Sequence, residues 1–150
     1  MRELTNDAYQ DRGPRWSHDG KRLAFFSNRS GKYEAYTISF DGNDLQQIKN
    51  HPEHMVVSPI WSPDGKRVAC SLYGIRSFFM DLGRSGSGEM PLDIQDPNFA
   101  GYLQAWSWCR SGDRIAGYLI RTDGSAAGIG VYHIDTKNFE KLTDYGMDPV

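Results

Sequence analysis

Cysteine is scarce in this chain of 150 residues: there are two, Cys70 and Cys109. Two thiols make no disulfide framework, and they form no Cys-x-x-Cys metal pair. Neither sign of charge dominates. Seventeen Lys and Arg stand against nineteen Asp and Glu, a formal net charge of −2. No basic excess points to nucleic acid or to an anionic membrane surface. Long apolar runs are missing too. No stretch reaches the roughly 18 apolar residues that read as a membrane-spanning helix. The first residues, Met1 to Asp7, hold no apolar h-region. A helical period is nowhere convincing. What is abundant is turn-forming and aromatic: sixteen Gly, seven Pro and 13% aromatics. That mixture favours an all-β fold.

The turns repeat. Pro14-Arg15-Trp16-Ser17-His18-Asp19-Gly20-Lys21-Arg22-Leu23-Ala24 matches Pro59-Ile60-Trp61-Ser62-Pro63-Asp64-Gly65-Lys66-Arg67-Val68-Ala69. A third copy, Trp108-Cys109-Arg110-Ser111-Gly112-Asp113-Arg114-Ile115-Ala116, has Ser111 where the others have Asp, which is expected to weaken its turn. The tryptophans lie 45 residues apart (16 to 61) and 47 apart (61 to 108). A period of about 40–45 with several strands per unit is the mark of a β-propeller.

Local chemistry explains the motif. In Ser62-Pro63-Asp64-Gly65, proline presets the first central position of a type I turn. Gly65 supplies the left-handed conformation that closes a bulged hairpin. Each tryptophan ends an inner strand, where a large flat side chain packs between neighbouring sheets. Four strands per unit follow. In the first they are Gly13 to Trp16, Leu23 to Ser27, Tyr33 to Phe40 and Leu45 to Ile48. In the third, Ile115 to Arg121, Gly130 to Asp135 and Glu140 to Thr143 repeat the last three. The second unit is looser, with a long loop from Gly83 to Gly88.

These residues resemble the WD40-like repeat of the TolB type, the PD40 repeat. The similarity is strongest in Trp-Ser-x-Asp-Gly-Lys-Arg and in Tyr36-Thr37-Ile38-Ser39-Phe40-Asp41-Gly42. The resemblance implies propeller blades, and a fold does not fix a function. The repeat occurs in periplasmic TolB, in the non-catalytic propellers of prolyl-oligopeptidase-like peptidases, in sensor regions of bacterial kinases and in some propeller lyases. A TolB-like protein would be periplasmic; the sequence itself leaves the compartment open.

The expected division is 1–12, an outer strand of a preceding blade with its loop, then blades at 13–50, 51–97 and 98–150. Glu3-Leu4-Thr5-Asn6 matches the outer strand Lys141-Leu142-Thr143-Asp144, and Asp148-Pro149-Val150 matches Ser58-Pro59-Ile60. Three blades do not close a ring, which takes about four to eight. The expectation is further blades in a longer chain, or a second copy completing a six-bladed ring.

Candidate chemistry is sparse. Asp11, Arg12, His51, Glu53, His54, Tyr102 and Gln104 fall in stretches that lead into inner strands, where a propeller presents its ligand rim. His51 and His54 are the weak candidates for metal. Ordinary loop polarity and inter-blade hydrogen bonding explain these residues better than a binding role does. The conserved-looking turn set Trp16, Asp19, Gly20, Trp61, Asp64, Gly65, Trp108 and Gly112 is structural. His18 and His133 read as surface or packing residues. Asp41-Gly42-Asn43-Asp44 lacks the distal Glu of a calcium loop. Ser85 and Ser87 lack the nucleophile-elbow context. No catalytic residue and no cofactor is expected. A protein or peptide partner is, with no nucleic acid and no membrane insertion. The alternatives are a regulatory propeller of a prolyl-oligopeptidase-like peptidase, or a metal-dependent propeller lyase.

Overall fold

The computed structural model describes residues 3–83 and 88–144. Ser85, Ser87 and Asp148–Val150 lie outside the described residues, as do Arg84 and Gly86 of the glycine-rich loop. Twelve strands and no helix occur among those described. They form three four-stranded antiparallel sheets, each in sequential order. The first holds β1 (Asp11–Trp16), β2 (Arg22–Ser27), β3 (Glu34–Ser39) and β4 (Gln46–Lys49). The second holds β5 (Val56–Trp61), β6 (Arg67–Leu72), β7 (Arg76–Asp81) and β8 (Met90–Pro91). The third holds β9 (Gly101–Trp108), β10 (Arg114–Arg121), β11 (Ala126–His133) and β12 (Asn138–Lys141). These are propeller blades. β1, β5 and β9 are the innermost strands.

The repeated turn closes the innermost hairpin of each blade in the same way. The Ser17 hydroxyl accepts the Arg22 N–H at 3.0 Å and donates to Asp19 at 2.7 Å; Asp19 accepts the Lys21 N–H at 3.1 Å. Ser62, Asp64, Lys66 and Arg67 reproduce this network. Gly20 and Gly65 take φ of 70° and 68°, the left-handed region that glycine reaches at little cost.

The third turn, expected to be weaker, closes through a different set of groups. Its carboxylate is displaced by two positions. Asp113 accepts from Ser111 and, at 3.1 Å, from the Cys109 thiol; Cys109 itself accepts the Arg114 N–H at 3.2 Å. The thiol occupies the place of the serine hydroxyl in the other blades, so the hairpin keeps its closure with Gly112 at φ 84°.

Hydrophobic packing between blades follows one rule. Trp61 buries against Ala24 and Ala35 of the first blade, and its indole N–H donates to the Arg15 carbonyl at 3.1 Å. Trp108 buries against Ile60, Ala69 and Phe79 of the second blade. Its ring meets Phe79 edge-on at 5.8 Å, and the Arg67 guanidinium lies over both rings. The tryptophan that ends the inner strand of the second and third blades thus buries against the blade before it, on alanines in one seam and on Ile60, Ala69 and Phe79 in the other. Trp16 is equivalent in sequence and is 57% exposed, against 5% for Trp61 and 6% for Trp108.

Residues Glu3 to Asn6, expected as an outer strand, form no ladder; the first strand begins at Asp11. Leu4 instead packs on Leu23, Phe25, Tyr36 and Ile38, the face that carries Trp16. A strand needs a neighbouring edge to pair with, and the described residues offer this segment none. The third strand of the last blade runs earlier than the sequence suggested, starting at Ala126 rather than Gly130, because the Asp123-Gly124 turn is tight.

Candidate functional site

Antiparallel order puts the β2–β3, β4–β5, β6–β7, β8–β9 and β10–β11 connections on one face. That face holds most of the residues singled out from sequence, and it is dominated by side chains that satisfy one another.

Asp11 and Arg12 lie within β1 rather than in the preceding loop. Asp11 accepts two hydrogen bonds from Arg29, at 3.0 and 3.1 Å, and Asp7 approaches the same guanidinium at 3.3 Å. Arg29 is also packed over the rings of Tyr9, Phe25 and Tyr36, at 5.6, 5.7 and 5.2 Å. Partial burial pushes the Asp11 carboxyl up. Hydrogen bonds from Ser27, Thr5 and Arg29, with the Arg29 charge, outweigh it and hold the group below the usual carboxylate range. Asp11 is therefore committed to Arg29. Arg12 donates to the Gln10 side chain at 3.0 Å and lies over Tyr33 at 5.5 Å.

The His51 loop is built on a buried acid. Glu34 is fully buried, pairs with Lys32 at 3.2 Å and accepts the His51 N–H at 3.2 Å. Burial pushes its carboxyl above the ordinary range, against the opposing pull of Lys32 and of the His51 N–H. Lys32 in turn donates to the His51 and His54 carbonyls. His51 Nδ1 accepts the backbone N–H groups of Glu53, at 3.3 Å, and His54, at 3.1 Å. The two imidazoles lie 5.0 Å apart, centroid to centroid. One nitrogen of His51 is thus occupied by its own loop. Glu53 projects into solvent, with 3.9 Å to His54. Among the described residues no cluster of three His, Cys, Asp or Glu is placed to hold a metal ion.

Tyr102 and Gln104 sit inside β9, not in a loop, because β9 has eight residues where β1 and β5 have six. Its extra pairing reaches Gly101 opposite Arg121. Both line a cavity of about 280 Å³ between the second and third blades, together with Tyr73, Gly74 and Ile120. Burial raises the Tyr102 phenol above its ordinary pKa. Tyr102 is therefore neutral at physiological pH, able to donate and to accept.

A second cavity, about 200 Å³, sits where the three inner strands converge. Gly13, Arg15, Phe26, Ser58, Ile60, Ala105 and Trp106 line it. Neither Arg15 nor Trp106 stood out in the sequence. The available signal was positional: Trp106 stands two residues before Trp108, where Pro14 and Pro59 stand before Trp16 and Trp61. All three strands are bulged there. His18 is exposed, and His133 pairs with Glu140 at 3.6 Å on the surface.

No family model matches the sequence. Individual proteins do. The chain is 41% identical over 112 residues to a TolB homolog of Chlorobium luteolum, covering 71% of this chain and 25% of that protein. Its fold superimposes on TolB from Acinetobacter baumannii with a TM-score of 0.73 at 19% identity, over 90% of this chain and 33% of that one. The chain is a run of TolB-type propeller blades. The same blades are 37% identical over 140 residues to the uncharacterized peptidase YuxL of Bacillus subtilis, covering 90% of this chain and 19% of that protein. The propeller segment thus spans a quarter or less of the curated relatives just named.

Proposed function

We propose that these blades belong to a non-catalytic propeller that binds a protein or peptide partner on the face carrying the inter-strand connections. The observation that carries this reading is the division of labour on that face. Its buried and half-buried acids are engaged by basic side chains, Asp11 by Arg29 and Glu34 by Lys32, and His51 Nδ1 is occupied by its own loop. Tyr9, Met55, Tyr73 and Ile75 are left exposed, and Tyr73 lines the cavity between the second and third blades. Exposed aromatic and apolar side chains with neutral hydrogen-bonding groups suit a partner surface better than they suit proton transfer.

Further blades complete the ring, in a longer chain or from a second copy. The Trp16 face is the large half of a blade interface. Ala116, partly exposed on β10, is the small half, aligned in sequence with the buried Ala24 and Ala69. Immobilised full-length protein should retain peptides from an array, and Tyr73→Ala should reduce that retention. An array with no retained peptide, together with no protein recovered in pull-downs, sinks the reading.

A second reading is favoured by the identity with YuxL: a propeller attached to a peptidase domain, screening access to it. The full gene product would then hydrolyse peptide substrates, with its reactive serine outside residues 1–150. Absence of any labelling by a fluorophosphonate probe ends that reading and leaves the first untouched.

A further inference from the structure

The inner strands β1, β5 and β9 carry three charged residues between them: Asp11, Arg12 and Arg15. Asp11 is neutralised by Arg29. Arg15 makes no ion pair among the described residues; its guanidinium lies 5.5 Å from the centre of the Trp106 ring, inside the cavity where the three strands meet. Arg12 makes no ion pair among the described residues; it donates to the Gln10 amide and lies over the Tyr33 ring, outside that cavity. The wall of the propeller axis is therefore positively charged in a chain whose net charge is −2.

The Arg15–Trp106 pair has a specific chemical meaning. A guanidinium lying over an indole keeps its N–H edges free, and that planar fork matches a carboxylate. Trp106, 44% exposed, offers an apolar surface beside it. The inner strands bring no helix N-terminus, and no second cation lines the cavity with Arg15. Both are common parts of a phosphate cradle. Arg12 and Arg15 lie three positions apart, at most roughly 10 Å along the strand, which is bulged between them. That spacing suits successive acidic side chains of an extended chain better than one compact anion.

We propose that the axial cavity recognises an acidic peptide segment, with one carboxylate on Arg15 and an apolar stretch against Trp106, and with a second carboxylate of the segment held outside the cavity by Arg12. This rests on the partner-binding reading and names the chemistry of the partner. The test is fluorescence anisotropy of labelled hexaglutamate and hexaglutamine peptides on the full chain. Hexaglutamate should bind roughly tenfold or more tighter, and added salt should weaken it. Arg15→Gln should lose roughly tenfold in that affinity, Arg15→Lys should lose less, and Trp106→Leu should weaken both peptides. Unchanged melting temperatures would show that these exposed substitutions leave the fold intact.

Equal binding of the two peptides, or an Arg15→Gln affinity within about twofold of wild type, overturns the proposal. So does displacement of hexaglutamate by inorganic phosphate at concentrations where acetate has no effect, since that assigns a phosphate site. Array peptides of neutral composition retained equally by wild type and Arg15→Gln would overturn the acidic preference and keep the partner-binding reading. No retained peptide of any composition sinks both.

Discussion

A single side-chain oxygen or sulfur atom adds to the backbone hydrogen bonds that close each innermost hairpin. Ser17, Ser62 and Cys109 accept a backbone N–H from across the turn and point at a carboxylate. Removing that atom leaves a strand N–H without its partner. Ser62→Ala should therefore cost about 1 kcal/mol in urea unfolding. Cys109→Ser should match or exceed wild type, because a hydroxyl is the stronger donor and restores the arrangement of the other blades; Cys109→Ala should fall below both. The carboxylates add a pH dependence of known sign. Asp113 is held down to about 2 by hydrogen bonds from Ser111 and then Cys109, and Asp19 and Asp64 are lowered by Ser17 and Ser62. Their contribution is present above the ordinary aspartate pKa and is lost as pH falls toward the folded values. Glu34 works in the opposite direction. Its folded pKa is raised, so its contribution is full below the ordinary glutamate pKa and is lost as pH rises through the folded value. Glu34→Gln removes that dependence. Relative to this variant, wild type should gain stability as pH is lowered from neutral toward the ordinary glutamate range, measured by urea unfolding at each pH. A difference that stays flat contradicts the burial argument.

Between elements, the interface residues separate into two kinds. Trp61 and Trp108 close seams between blades, so replacing either by Ala should cost about 3–5 kcal/mol. In the isolated segment 1–150, kept dilute enough to stay monomeric, Trp16→Ala should cost about 0.5 kcal/mol or less, since the same side chain is exposed there. Denaturant unfolding of the three variants checks this, and equal losses would deny the seam its directionality. Gly117 marks a different constraint. A Cβ there would stand 2.1 Å from the Gln104 carbonyl oxygen, backbone against backbone. Gly117→Ala should destabilise by about 1–3 kcal/mol. The strands were legible because the Trp-Ser-x-Asp-Gly motif sets a hairpin by local chemistry alone. Fold class and blade composition follow from its repetition. The site was legible only in part. His51 and His54 share a loop in sequence, but the buried Glu34 and Lys32 that hold that loop come from the blade before it. Asp11 looked available until Arg29, 18 residues on, proved to occupy it. Arg15 and Trp106 are 91 positions apart (15 to 106), and no local pattern joins them.

At the scale of the molecule, the two end faces govern behaviour. The Trp16 face presents an exposed tryptophan, and the opposite end presents Ala116, aligned with the Ala24 and Ala69 of the two filled seams, beside the exposed Ile129. Isolated as 1–150, the protein should self-associate in sedimentation analysis, and Trp16→Glu should suppress it by placing a charge in the seam. A chain that remains monomeric at all concentrations would mean that neither face accepts a second copy. The seams also bear on the axis. Both junctions among the described residues seat a tryptophan on the blade before it, so rings of more than one blade number can close as the angle between neighbours adjusts. Blade number then sets the bore of the axis, so the calibre of ligand admitted is tuned by duplicating or deleting whole units, while Arg15 and Trp106 govern only what is gripped once inside.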